Sequence, residues 1–155
     1  MKTLIMLSAI PASGKSTWAA EYKKKHENTF IVSSDEVRME VTHGDFQDHS
    51  KQAEVWRLFE ERIHEYGRIE DCTVILDALN DVNLVRLKYL ESTPEFDHKV
   101  LVLFPNTIAK ARKYNNLREK AVRVPDDILV QLVNKFEAPS KRVLDLVDEI
   151  VQVNW

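Results

Sequence analysis

The sequence has few of the residues that mark special structural classes. Its 155 residues include three glycines, five prolines and one cysteine. So little glycine and proline excludes a collagen-like, low-complexity or linker-rich chain. Cys72 has no cysteine partner, so an internal disulfide is impossible, which favours a reducing, cytoplasmic setting. Because it precedes the apolar run Thr73 to Leu76, we expect it to be a small core residue.

Long apolar runs and an excess of basic charge are also missing. No run approaches the roughly 20 residues of a membrane-spanning helix, so no membrane partner is expected. The 22 Lys and Arg residues against 25 Asp and Glu give a formal net charge of −3. A protein that coats long nucleic acid is usually basic, so this chain would contact nucleic acid only through a local patch. The hydrophobic share of 44% and the length fit one globular domain over residues 1–155.

Short apolar runs alternate with amphipathic stretches along the chain. This alternation predicts an α/β fold, a three-layer sandwich around a mainly parallel five-stranded sheet. Ligands of such folds lie at the carboxyl ends of the strands. The predicted strands cover residues 3–8, 29–32, 72–76, 98–104 and 149–153.

The amphipathic stretches predict the helices between these strands. A helix over about 50–66 places Val55, Phe59, Ile63 and Tyr66 on one face. Further helices are expected over 15–25, directly after Ser33, and within 107–123. Ser33 and Glu36 make a possible capping box for the second of these helices. Asn80 or Asp81 is expected to cap a helix that reaches Leu90. Pro125 is expected at a first helical position, with Ile128, Leu129, Leu132, Val133 and Phe136 on the buried face behind it.

A phosphate-binding loop is predicted between the first strand and the first helix. The chain reads AIPASGKSTW there, which ends like the pattern G-x-x-x-x-G-K-[ST]. Backbone N–H groups of such a turn and helix N-terminus point at phosphate oxygens. Lys15 would neutralise the β and γ phosphates, and the Ser16 hydroxyl would hold Mg²⁺. The expected nucleotide-binding residues are Ala12, Ser13, Gly14, Lys15, Ser16 and Thr17.

Ala9 stands where the pattern has its first glycine. This exchange costs little if the residue keeps a negative φ, because only a positive φ penalises a Cβ. Pro11 has no N–H and therefore cannot donate to a phosphate. The alternative interpretation is an ordinary strand-to-helix turn with a helix-capping serine.

Several segments together carry a family resemblance. They resemble parts of the small P-loop kinases typified by phage polynucleotide 5′-kinase domains, and they span nearly the whole chain. The resemblance implies an adenylate-kinase-like fold with a lid over about 107–124, and it implies ATP, or another nucleoside triphosphate, and Mg²⁺ as cofactors. The segments are SAIPASGKSTWA, VSSDEVR, VILDALN, ARKYNNLREKAVRVPDD, FEAPS and DEIVQV.

The resemblance also implies roles for individual residues. Asp35 resembles the general base, which must lie within hydrogen-bond reach of the attacking hydroxyl. Arg38 resembles the residue that contacts the acceptor-side phosphate. Asp77 resembles the acid that holds Mg²⁺ through water or orients Arg38. Arg118 resembles the arginine that covers the transferring phosphoryl group, so the expected catalytic set is Lys15, Asp35, Arg38 and Arg118.

Each of these assignments has a structural alternative. Asp35 could have no role beyond stabilising a helix N-terminus. Arg38 could be a solvated helix charge, and Asp77 could be a plain strand-end acid. The basic run within 107–124 could be a solvated face, although its place beside a phosphate loop favours a lid. Within that run, Arg112 and Arg123 are rivals of Arg118. The helix around Trp56 to Tyr66 could line an acceptor cleft, although a place in the core is the favoured interpretation.

Three functions remain open from the sequence. The first is a kinase of the 5′-hydroxyl end of a nucleic acid. The second is a kinase of a small hydroxylated molecule such as a nucleoside, sugar acid or antibiotic. Ser34 favours the second slightly, because phage end-healing kinases tend to have a basic residue there. The third is a non-catalytic nucleotide-binding switch, against which Lys15, Ser16 and Asp35 argue.

Overall fold

The computed structural model describes residues 1–45 and 47–154, along which strands and helices alternate. The strands are β1 (Thr3–Ser8), β2 (Thr29–Ser33), β3 (Thr73–Asp77), β4 (His98–Leu103) and β5 (Glu149–Gln152). The helices are α1 (Lys15–Lys25), α2 (Ser34–Val41), α3 (Gln52–Gly67), α4 (Asn83–Glu91), α5 (Ile108–Asn116), α6 (Asp126–Lys135) and α7 (Lys141–Leu146), with a 3₁₀ turn at Lys120–Val122.

The five strands form one sheet in the order β2-β3-β1-β4-β5, and all four pairings are parallel. β1 lies at the centre, and its residues from Leu4 to Leu7 are buried. Strands buried on both faces read as continuous apolar runs, which is why these segments could be recognised. The predicted five-stranded parallel α/β fold is confirmed.

Helices cover both faces of the sheet. Successive residues of a strand point to opposite faces. Leu4 and Met6 belong to a core cluster that includes residues of α3, α4 and α7, whereas Ile5 and Leu7 belong to a second cluster that includes residues of α1. The molecule therefore has the three layers that the sequence predicts.

Most of the expected apolar stripe of α3 lies in the first of these clusters, which includes Phe59 and Ile63 and has Tyr66 packed against it. Val55, Phe59 and Ile63 are buried, and Tyr66 stacks on Phe30 with 4.7 Å between ring centroids. Cys72, at the start of β3, is a buried free cysteine of the same cluster. These positions agree with the sequence analysis.

The helix cap expected at Asn80 or Asp81 is wrong. α4 begins at Asn83, and its N-cap residue is Val82, which makes no side-chain cap. The Asn80 side chain donates instead to the carbonyl of Leu7, at 2.7 Å. A long-range bond to the end of β1 thus replaces the local cap.

Three features near the C-terminal end also differ from expectation. Pro125 is the N-cap residue of α6 and precedes its first helical position. Of the predicted α6 face only Leu129 is fully buried, and Ile128 is exposed at the edge of a cavity. α7, whose N-cap Ser140 accepts a hydrogen bond from the N–H of Val143, was not anticipated.

Arg86 connects the end of one strand and two loops beneath the carboxyl edge of the sheet. It is 0% exposed. Its guanidinium donates to Ser8 Oγ at 2.9 Å, to the carbonyl of Asn80 at 2.8 Å and to the carbonyl of Glu137 at 2.7 Å. The group also stacks over the ring of Phe136, 5.2 Å from its centroid. One buried cation therefore fixes the end of β1, the loop after β3 and the loop after α6.

Among the described residues, no helix combines the length and the apolar character needed to cross a membrane.

Replacing Arg86 by methionine is expected to lower the free energy of unfolding by about 3 kcal/mol, because several buried acceptors lose their donor and each costs roughly 1–3 kcal/mol. Urea denaturation followed by circular dichroism measures the change. Arg57→Met is the matched control, since Arg57 is exposed on α3 and forms a surface ion pair with Glu61. It should cost less than about 1 kcal/mol. Equal stability of the two variants would contradict the structural role of Arg86.

Candidate active site

The loop between β1 and α1 has the backbone of an anion-binding turn. Ala12 and Gly14 have positive φ angles of 59° and 86°, and α1 begins at Lys15. Left-handed residues next to a helix N-terminus gather backbone N–H groups on one side, where the positive end of the helix dipole adds to them. A left-handed alanine is uncommon, and such conformations concentrate at functional sites.

Ala9 meets the condition set for the missing glycine. It does not have a positive φ, and it is fully buried. Its N–H donates to the carbonyl of Leu79 at 2.8 Å, so its backbone is held against the loop after β3. The Cβ of alanine is therefore accommodated at this position.

Lys15, Ser16 and Asp77 form a polar cluster at the carboxyl edge of the sheet. The Ser16 hydroxyl donates to Asp77 Oδ2 at 2.9 Å, and Lys15 Nζ lies 3.9 Å from Asp77 Oδ1. Asp77 is 5% exposed, and no described residue donates a hydrogen bond to its Oδ1. The structure brings together three of the residues that the sequence singled out.

Burial raises the pKa of the Asp77 carboxyl above its ordinary value. The attraction of Lys15 and the hydrogen bond from Ser16 act in the opposite direction but do not cancel the loss of solvation, and the nearby charge of Asp35 adds to the rise. The carboxylate is thus held in a place that disfavours its charge, which is typical of functional sites.

The donor set at Ser16 and Asp77 fits a magnesium ion. Mg²⁺ prefers hard oxygen ligands and is usually held by one or two protein groups together with substrate phosphates and water. A hydroxyl and a carboxylate with a buried oxygen that lacks a donor supply such ligands. Within residues 1–45 and 47–154 no group of three or more His, Cys, Asp or Glu could hold a metal by itself.

A cleft of about 310 Å³ lies over the loop. Among the basic residues of the 107–124 segment, Arg118 lines this cleft. Arg112 instead makes a two-point contact with Asp126, at 2.9 and 3.2 Å. Arg123 donates to the carbonyls of Asn116 and Arg118, both at 3.0 Å. The geometry separates the three rival arginines, since two of them are engaged elsewhere. The remaining lining residues are Tyr114 and Ala12 to Thr17.

Asp35 and Arg38 lie on α2, directly after β2. The Ser33 hydroxyl accepts from the N–H of Glu36 at 3.3 Å and so fixes the first turn of the helix. The Asp35 side chain is 44% exposed and lies 3.4 Å from Arg38 Nη1. Arg38 is buried, and its Nη2 donates to the side chain of Gln52 at 3.0 Å. The solvated-charge alternative for Arg38 does not fit its burial.

A larger cavity of about 880 Å³ adjoins this acidic and basic pair. Lys15 and Arg118 line both this cavity and the cleft over the loop, so the two spaces meet at these side chains. Its polar end also contains Asp35, Arg38 and Gln52, whereas Trp56, Val85, Tyr89, Ile128 and Leu132 contribute an apolar wall.

Several cavity residues were not singled out by the sequence analysis. For Trp56 the core was favoured over an acceptor cleft, and the residue packs against the core cluster and also lines the cavity. Tyr89, Asp81 and Gln52 have no motif that distinguishes them from core or surface residues. Tyr114 lies in a basic run in which the sequence analysis considered only arginines for a functional role. The one available signal was the aromatic residue beside the buried face of α3.

The 107–124 segment contacts the opposite rim of the cavity. Gln47 donates from Nε2 to the carbonyl of Ala121 at 3.1 Å and to that of Arg123 at 3.4 Å. Gln47 follows α2 and lines the cavity together with His49. The segment and the α2–α3 loop are therefore joined across the entrance.

The sequence matches a family model described as "Chromatin associated protein KTI12" over residues 2–144. No curated protein matches the chain.

Solved structures of P-loop kinases are similar in fold. Kti12 of Chaetomium thermophilum, in complex with ADP-AlF3, gives a TM-score of 0.66 at 18% identity and covers 98% of this chain and 89% of its own. A chain of the Pnkp1/Rnl/Hen1 RNA repair complex gives 0.75 at 20%, covering 86% and 43% respectively. A gluconokinase from Sinorhizobium meliloti 1021 gives 0.62 at 15%, covering 97% and 81%. At these identities the likeness establishes the P-loop kinase fold.

The Asp77→Asn variant is expected to be more stable than the wild-type protein at neutral pH without nucleotide. A folded-state pKa raised above the unfolded value means that the free energy of unfolding falls as the pH rises from the unfolded pKa through the folded one. The asparagine side chain carries no charge, so the variant avoids this loss of stability. Its gain in the free energy of unfolding over the wild type should be present at neutral pH and shrink as the pH falls toward about 4.

Thermal unfolding at several pH values measures this difference. Asp127→Asn is the matched control, because Asp127 is exposed at the start of α6. A less stable Asp77→Asn at neutral pH would show that the attraction of Lys15 exceeds the cost of burying the carboxylate.

Proposed function

The chain belongs to the family of the chromatin associated protein KTI12, and we propose that it is a kinase that transfers the γ-phosphate of ATP, or another nucleoside triphosphate, to a hydroxyl group. This family assignment corrects the family expected from the sequence, that of the phage polynucleotide 5′-kinases. The two families share the P-loop kinase fold. Family membership alone does not require catalysis, so the proposal rests on the site.

The observation that carries the proposal is that Asp35, Lys15 and Arg118 line one cavity. A pure nucleotide binder needs the lysine but has no use for a carboxylate that faces the same space. Phosphoryl transfer depends mainly on positioning and on neutralising charge, and it uses a residue that accepts the proton of the attacking hydroxyl. The cavity supplies candidates for all three tasks.

The proposed roles follow from the positions of the side chains. The backbone of Ala12 to Thr17 and the ammonium of Lys15 bind the phosphates, while Arg118 covers the transferring group from the 107–124 segment, which acts as a lid. Asp35 accepts the proton of the hydroxyl, and Arg38 holds the acceptor. When bound at Ser16 and Asp77, Mg²⁺ neutralises phosphate charge.

We favour the 5′-hydroxyl end of a nucleic acid as the acceptor. The segment at the cavity entrance is basic although the whole chain has a net charge of −3, which suits contact with a strand end but not with long nucleic acid. The structural similarity to a chain of an RNA repair complex supports this choice.

A small hydroxylated molecule is the second candidate. Ser34 is a cavity residue that offers no positive charge to a strand, and the gluconokinase neighbour covers almost the whole chain. The same site residues would serve this reaction, so only the acceptor distinguishes the two candidates.

The test offers the purified protein Mg²⁺ and ATP labelled at the γ-phosphate together with 5′-hydroxyl oligonucleotides, nucleosides and sugar acids. Label on oligonucleotide ends is expected, and label only on a small molecule would replace the first acceptor by the second. Asp35→Asn should lower transfer by about 10²- to 10⁴-fold while nucleotide affinity stays nearly unchanged. Its control is Glu36→Gln, an exposed neighbour on α2.

Nucleotide binding without transfer to any acceptor would favour the non-catalytic switch. Transfer by Asp35→Asn at a rate close to that of Glu36→Gln would exclude Asp35 as the base.

Arg118→Ala is expected to lower the transfer rate by roughly a thousandfold, the effect of removing an arginine that stabilises the transferring phosphoryl group. Arg112→Ala removes the same charge from the same segment, but Arg112 is exposed and paired with Asp126. It should change the rate by less than about threefold. Single-turnover measurements compare the two, and a larger loss for Arg112→Ala would reverse the assignment.

A further inference from the structure

The wall of the large cavity opposite the reacting groups is apolar and partly aromatic. Trp56 of α3 and Tyr89 of α4 contribute rings, and Val85, Ile128 and Leu132 contribute aliphatic side chains. A cavity of about 880 Å³ lies within the size range of small-molecule sites. Its apolar and aromatic lining suits a molecule with a flat, apolar-faced ring.

This wall is a poor match for a sugar acid. Such an acceptor carries hydroxyl groups around its whole chain, and burying them against Val85, Ile128 or Leu132 leaves them without hydrogen-bond partners. Each group buried in this way costs roughly 1–3 kcal/mol. A nucleobase presents two apolar faces and confines its polar groups to its edge, so it can use both the wall and a polar residue beside it.

Asp81 is a polar residue of the cavity to which the proposed reaction assigns no role. It lines the cavity and is only 6% exposed. None of the described residues donates a hydrogen bond to its carboxylate, and its backbone carbonyl accepts from Arg86 and from the N–H of Glu137. The charge of Arg86 lies close enough to interact with it. A buried carboxylate that has a compensating charge but no donor is complementary to a ligand that donates.

Resting on the proposed kinase function, we propose that this cavity holds the terminal nucleoside of the acceptor and that Asp81 selects guanine. Guanine presents two adjacent donors, N1–H and the N2 amino group, to the two oxygens of one carboxylate. Adenine and cytosine present an amino group beside a ring nitrogen that accepts, and uracil presents one N–H between two carbonyls. In those three bases an acceptor lone pair faces the carboxylate and opposes binding.

Basic residues at the cavity fit the rest of such an acceptor. Lys88 of α4 and Lys135 at the end of α6 are exposed cavity residues. Lys88 lies 3.7 Å from Glu60, a surface pair that contributes little and can be exchanged for a phosphate. The 3′-phosphate that joins the first nucleoside to the next would find positive charge there, whereas the carboxylate of Asp35 faces the 5′-hydroxyl.

Calorimetric titration with 5′-hydroxyl dinucleotides tests the selection without requiring turnover. The four probes begin with G, A, C or U, share the same second nucleoside and are added with a non-hydrolysable ATP analogue present. The G probe should bind about tenfold more tightly than the others, as expected for a two-point contact with a base edge. Affinities of the four probes within about threefold of one another would overturn the proposal.

Asp81→Asn assigns the preference to its residue. The amide offers one acceptor and one donor, so the G preference should fall to less than about threefold while affinity for the ATP analogue is kept. Asp127→Asn, an exposed acid outside the cavity, should keep the preference. A preference that survives Asp81→Asn overturns the assignment to Asp81, and if the variant does not fold, the four wild-type affinities still decide the selection.

The two proposals fail in different ways. Guanine-selective binding without phosphate transfer would leave the base site standing and remove the kinase function. Transfer to all four dinucleotides at equal efficiency would support the kinase and overturn the role of Asp81.

Discussion

The parallel register of β1, β2 and β3 is the constraint on which the site depends. Ser33 of β2 pairs with Asp77 of β3, so these strands end together, and the loop after β1 opens at the same edge of the sheet. This brings the phosphate loop, Asp35 and Asp77 together although long stretches of sequence separate them. A slip of one residue would turn Asp77 to the other face and break its bond to Ser16.

The site concentrates charge where the fold disfavours it. Lys15, Asp77 and Arg86 are all buried, and for Asp77 the loss of solvation outweighs the attraction of Lys15. Stability is therefore lost at the phosphate loop, whereas beneath it Arg86 holds two loops together by donating to the carbonyls of Asn80 and Asp81 after β3 and of Glu137 after α6. Such local conflicts between stability and charge are expected at functional sites and uncommon elsewhere.

The sequence predicted those parts of the molecule that depend on local signals. Buried strands read as apolar runs, and Gly14-Lys15-Ser16 follows the first of them, so the fold and the loop could be recognised together. The prediction of a helix cap at Asn80 failed because the Asn80 side chain donates to the carbonyl of Leu7. This contact depends on the arrangement of the sheet and cannot be inferred from the local sequence. α7 has six residues, too few to show a helical period. The family was misjudged because the motifs that carried the resemblance, above all the phosphate loop, do not distinguish one family of P-loop kinases from another.

The cavity wall was missed for a related reason. Helical periodicity identifies which side of α3 is apolar, but it cannot say whether that side meets the core or an open space. Phe59 and Trp56 lie on neighbouring parts of this side; Phe59 is buried in the core, while Trp56 also lines the cavity. The difference comes from what the rest of the chain places opposite. On the other side of the cavity, Gln47 donates to the carbonyls of Ala121 and Arg123 in the 107–124 segment, and Arg123 in turn donates to the carbonyl of Arg118. The loop beside the proposed acceptor site and the arginine over the phosphate cleft are thus linked by hydrogen bonds. In the proposed kinase this linkage makes the position of Arg118 depend on the acceptor side, which would restrict transfer to water when the cavity holds no acceptor.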